Sequence, residues 1–187
     1  MQLPELPTGC EITSLTMLLN YLGFEADKEI LADKYLSKGK YRASDPTETF
    51  VGDPKSTFAY GCFSNVIVKT AEKYLEENDS SKKFNVKNIT GCHPKSIYAA
   101  LDSGYPVIVW ITVDLQEPQK GAVWTAANSR KEIQWLKGEH CVLLTGYDLS
   151  KKIVYANDPL KGLAVYDMEL FEKRFEQMNK NAVIIVT

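Results

Sequence analysis

Leu6-Pro7-Thr8-Gly9-Cys10-Glu11-Ile12-Thr13-Ser14-Leu15 opens the chain's first apolar run. Ile12, Leu15, Leu18, Leu19 and Leu22 recur at helical spacing, and Gly23 follows as a C-terminal stop. The periodicity predicts a helix over 9–22. Thr8 followed three residues later by Glu11 has the pattern of a capping box. With Thr8 as N-cap, Cys10 falls in the first turn. There the unpaired N–H groups and the helix dipole favour an anion, so Cys10 is expected to lose its proton easily and to act as a nucleophile.

Working outward, the apolar and punctuating residues predict helices over 28–36, 64–77, 94–103 and 169–177. A long segment broken by Gly and Pro separates the second and third, from Ser37 to Gly61. After Gly104 the pattern becomes strand-like. Pro106–Val113 is an almost unbroken apolar run, His140–Tyr147 is another, and Lys152–Asn157 follows after a short turn, so the last two should pair as an antiparallel hairpin. Ala182–Val186 forms the last strand. Helices first and strands later indicate one α+β domain over 1–187, with a helical half about 1–104 packed on an antiparallel sheet half about 105–187.

Composition narrows the function classes. The 187 residues are 44% hydrophobic and 25% charged with net charge -2, and both signs are interspersed, so neither nucleic acid nor a membrane surface is the expected partner. No apolar run reaches the ~20 residues of a membrane span. The start so close to Cys10 favours an export segment upstream and an extracellular or cell-envelope setting, with the cytoplasm as the alternative. Of the four cysteines, Cys141 lies in an apolar strand, which leaves Cys62–Cys92 as the one comfortable disulfide pair. Two distant histidines and no Cys-x-x-Cys pair give no metal-ligand cluster, and no cofactor is expected.

A reactive cysteine needs a base. His93 precedes Pro94 in a turn before a helix, where capping is the expected role. His140 opens an apolar strand at a loop edge, a suitable place to hold an imidazole beside a cleft. The group that orients the ring should come from the facing strand end, Asn157 or Asp158. Cys, His and Asn/Asp then occur in the papain-type order, and His140 follows Cys10 by 130 positions, within the ~130–150 typical of that class. Trp124 and Trp135 lie in a polar segment before His140 and are candidates to contact substrate; Trp110 reads as core. Glu139 is taken as a solvated carboxylate.

Five segments together resemble the bacterial peptidase family C-39-like group, relatives of the bacteriocin-processing peptidases. They are Leu6–Glu11, Tyr60–Phe63, Gly104–Val107, Glu139–Tyr147 and Asn157–Gly162, and they extend over nearly the whole chain. The resemblance implies a papain-like fold and a cysteine peptidase or amide hydrolase acting on a peptide or protein as a monomer. It also implies Asp158 over Asn157 as the orienting residue, because an aspartate before proline occupies that place in the family. Further, it implies an oxyanion-binding glutamine upstream of the cysteine, for which Gln2 is available, although fraying is expected so near the chain start. A non-catalytic binding module and an acyl transferase on the same fold are the alternatives.

Overall fold

The computed structural model describes residues 1–127 and 129–187. Helix α1 (Cys10–Tyr21) ends where Gly23 takes a positive φ of 94° and its N–H bonds Asn20 O. Helix α2 (Lys28–Ile30), capped by the Asp27 carboxylate, passes directly into a π-helical turn at Leu31–Tyr35. Two short strands, β1 (Lys38–Gly39) and β2 (Phe50–Val51), pair in parallel within the long Gly- and Pro-rich segment. Helix α3 (Ser64–Asn78), β3 (Asn85–Asn88) and α4 (Pro94–Asp102) follow. His93 caps α4, its Nδ1 accepting the Lys95 N–H at 3.2 Å, which is the role its place before Pro94 suggests.

The strand-rich part begins with β4 (Val107–Thr112). A hairpin of β5 (Gln119–Thr125) and β6 (Glu132–Lys137) comes next, then β7 (Glu139–Asp148), β8 (Ile153–Asp158), β9 (Gly162–Asp167), α5 (Met168–Gln177) and β10 (Ala182–Val186). The main sheet has the order β3-β10-β4-β7-β8-β9, with every neighbouring pair antiparallel. The β7–β8 pairing shifts by one residue between Leu144 and Gly146, leaving Thr145 as a bulge.

Helices cover both faces of this sheet, which is why β4 reads as an unbroken apolar run. Ile108, Trp110, Cys141 and Leu143 pack with the buried leucines of α1 and with Ile67 of α3. On the opposite face Val109, Ile111, Val142 and Leu144 pack with Ile97 of α4 and with Phe171 and Phe175 of α5. Each large side chain so buried contributes roughly 1.5–3 kcal/mol. Trp110 is core as its place in the apolar strand implies, and its indole N–H bonds the Cys62 carbonyl at 2.9 Å, tying β4 to the loop ahead of α3.

The α+β class expected from the order of elements is the observed one. The four cysteines are free thiols. Cys62 belongs to the cluster on the α1 face and Cys92 to the cluster on the other, so the sheet lies between the two residues proposed as a disulfide. Among the described residues, no helix is long and apolar enough to cross a membrane.

Candidate active site

Cys10 is the first residue of α1, with Gly9 as N-cap. The capping box is not formed. Thr8 donates its hydroxyl to Ser56 O at 2.9 Å, tying the 53–56 loop to the start of the helix, and Glu11 turns inward. Gly9 is required by close packing: a β-carbon there would lie 2.7 Å from the Leu6 β-carbon.

The Cys10 N-terminal turn faces a cleft of about 230 Å³ lined by Gln2, Cys10, Tyr60, Trp135, Glu139 and His140, among others. Gln2 is not frayed. It is 3% exposed; its backbone N–H bonds Pro159 O at 2.9 Å, and its side-chain Nε2 donates to Pro7 O at 3.0 Å. One Nε2 hydrogen remains for a ligand in the cleft, and Gln2 Oε1 is buried without a partner.

His140 is the second residue of β7, paired with Ile111, and is 2% exposed. Asp158 is the last residue of β8. The register pairs Leu143 with Asn157, so its continuation sets Asp158 across from Val142, with His140 two residues further along the same face. Alternation therefore turns Asp158 toward the imidazole and sends Asn157 to the other face, where it lines a small pocket with Met17 and Tyr21 of α1. His140 Nε2 and Asp158 Oδ1 are 2.9 Å apart, leaving Nδ1 as the ring nitrogen available to a thiol. Asp158 also accepts the Leu160 N–H at 2.7 Å and the Tyr166 hydroxyl at 2.5 Å. Burial opposes its ionisation, but the bond and charge of His140, with Tyr166 and Leu160, hold its carboxyl well below the usual carboxylate range. Tyr166, on β9, carried no sequence signal beyond its place in a strand that alternates.

The thiol environment differs from the one expected of a capped helix start. Cys10 Sγ donates to Glu11 Oε2 at 3.3 Å, and Glu11 Oε1 accepts the Cys62 N–H at 2.7 Å. Burial first, and then the neighbouring Glu11 and Glu139 carboxyls, push the Cys10 thiol well up. Glu139 is half-buried: it lines the cleft, and its Oε1 is buried with no partner among the described residues. One ligand atom from each of Cys10, Glu11 and Glu139 lies within 4.8 Å of the others. Among the described residues this is the one grouping close enough to hold an ion. Both Glu11 oxygens are, however, already engaged, Oε1 by the Cys62 N–H and Oε2 by the Cys10 thiol.

Trp135 lines the cleft and stacks on Phe63 at 5.6 Å. Trp124 is not among the lining residues. It stacks behind Tyr60 at 4.9 Å with its indole N–H on Ser44 O, so it supports the wall instead of facing the cleft. Tyr60 does line the cleft, a position read in the sequence only as part of the Tyr60–Phe63 segment.

Comparison with known proteins bears on the fold and the family. The chain is 34% identical over 191 residues to the uncharacterized protein YvpB of Bacillus subtilis (strain 168), covering 99% of this chain and 72% of that one. The crystal structure of a Bacillus anthracis protein assigned to the C39-like peptidases superposes with a TM-score of 0.87 at 30% identity, covering 100% of this chain and 92% of that one. The model of the Peptidase C39 like family matches residues 1–183, and on that match the chain belongs to this family.

Proposed function

We propose that this protein is a cysteine peptidase or amide hydrolase in which Cys10, His140 and Asp158 form the catalytic group. The observation that carries the reading is the 2.9 Å His140–Asp158 pair, which commits Nε2 to the carboxylate and presents Nδ1 on the cleft that Cys10 opens. The family and fold are those of peptidases.

In this reading Cys10 Sγ attacks a peptide or amide carbonyl carbon and passes its proton to His140 Nδ1. The tetrahedral oxyanion is received by the Cys10 N–H, which has no intrahelical partner at a helix start, and by the remaining Gln2 Nε2 hydrogen. Collapse breaks the C–N bond, the imidazolium protonates the leaving amine, and a thioester remains. Water, deprotonated by His140, then releases the acid and restores the thiol. Asp158 fixes the tautomer and stabilises the imidazolium. Trp135 and Tyr60 form the apolar wall against which a substrate chain would lie.

Cys10→Ala is expected to abolish both turnover of a peptide library and labelling by an epoxide inhibitor, with the melting temperature preserved. Full turnover in that variant would overturn the reading. The thiol bonded to Glu11 favours, as the second reading, a non-catalytic binding module; binding of a peptide without cleavage by the wild-type chain would select it.

A further inference from the structure

Glu11 and Glu139 are two neighbouring carboxyls, the first fully buried and the second half-buried at the cleft, with no basic partner among the described residues. Glu11 is 0% exposed, Glu139 Oε1 has no hydrogen-bond donor, and both meet the Cys10 sulfur within 4.8 Å. The fold makes room for this arrangement. Gly61, at a φ of +125°, would with a β-carbon come 2.5 Å from Glu11 Oε1 and 3.3 Å from Glu139 Oε2. The Cys62 N–H fixes one Glu11 oxygen and leaves the other against the thiol.

Two carboxylates held this close at a largely buried site without a cation do not both ionise. The geometry points to Glu11 and Glu139 as a positioning pair that carries one proton and one negative charge between them and holds the Cys10 hydrogen toward Glu11, away from His140. Resting on the peptidase reading of Cys10, this makes the enzyme latent while the pair is charged. Transfer of the thiol proton to His140 Nδ1 would create a thiolate directly beside Glu11. When the pair takes a second proton from solvent its charge is gone, and the same transfer then meets no anion.

The other titratable groups around the thiol are consistent with this. Cys62 and Cys141 are buried and pushed well up, so they stay neutral. Asp158 is ionised but spent on His140, Tyr166 and Leu160. Burial pushes Glu11 up to about 7, and burial together with Glu11 raises Glu139 well above the carboxylate range.

The test is iodoacetamide alkylation of the full chain followed at the Cys10 peptide by mass spectrometry as a function of pH, in wild type and in E11Q/E139Q. The double variant should alkylate about tenfold faster at neutral pH, equivalent to one pKa unit of the thiol. It should also lack a break near pH 7 in the wild-type profile, where the rate stops rising as the pair gains its charge. A folded E11Q/E139Q with the wild-type rate and break overturns the inference. Should that variant not fold, the infrared spectrum decides. Wild type at neutral pH should show a protonated-carboxyl band that weakens in E139Q, and absence of the band from wild type overturns it equally. Both readouts follow the thiol and the acids, not turnover. An alkylation profile that follows the pair without any peptide cleaved would therefore sink the peptidase reading and leave the pair standing.

Discussion

Asp158 backs His140 and the Glu11–Glu139 pair lies beside Cys10, yet their carboxyls lie on opposite sides of the ordinary carboxylate range. Burial acts on both in the same direction, so the difference comes from what else each oxygen meets. Asp158 receives an imidazole, a tyrosine hydroxyl and a backbone N–H, and all three favour its charged form. Glu11 receives the Cys62 N–H and the thiols of Cys10 and Cys62, none of which can carry positive charge, and Glu139 Oε1 receives no donor among the described residues. A partner that can carry positive charge, the imidazole, separates Asp158 from Glu11, whose donors are neutral.

The contrast can be broken most forcefully at Asp158. Asp158→Asn keeps the shape but removes the charge that orients His140, and kcat/KM for a cleaved peptide should fall on the order of a thousandfold. A loss under tenfold would mean that the two acid sites do not differ in catalytic weight.

A smaller effect is expected in stability as a function of pH. Glu11 has a folded pKa raised from 4.5 to about 7, so between those values the folded state binds more protons than the unfolded. The melting temperature should then fall as pH rises through that window, by the equivalent of about 3 kcal/mol. Asp158 has the opposite sign. Its lowered folded pKa contributes stability that is present above the unfolded value of about 4 and is lost as pH falls below it. Thermal melts of wild type should therefore decline on both sides of about pH 4.5, with only the neutral-side decline removed in E11Q/E139Q.

The least of the effects sharpens the comparison. Tyr166→Phe takes one of three donors from Asp158 and should cost about 1–2 kcal/mol in denaturant midpoint stability at neutral pH while turnover survives at reduced rate. No change in either measurement would show that two donors suffice.

Much of this could be read from the chain because it is local. The apolar runs at 107–112, 139–148 and 182–186 mark strands by their own composition, and the leucine stripe of α1 marks its helix. His140 and Asp158 were accessible because strand alternation and a short turn place one near the other. What escaped the sequence depends on partners far along the chain. The β5–β6 ribbon is polar along much of its length and packs mainly through Trp124 and Trp135 against Val51, Tyr60 and Phe63, so its own pattern looks irregular. In β9, Leu163 and Val165 point outward, hiding a strand whose inward residue is Tyr166. Thr8 and Glu11 match a local capping pattern, but residues some fifty positions away, Ser56 and Cys62, take both side chains.

The bulge at Thr145 carries more weight than a local irregularity. Beyond it, toward the turn, Gly146 pairs with Tyr155; on the side of His140, Leu144 pairs with Ala156. Had the pairing run straight from the turn, Leu144 would have met Asn157, and the face shared with His140 would have received the amide instead of the acid. A single uncounted residue, ten ångströms or more of strand away, thus chooses between two adjacent side chains for the role of counter-charge. An insertion or deletion in that turn would rewrite the chemistry of the cleft without altering any residue that lines it.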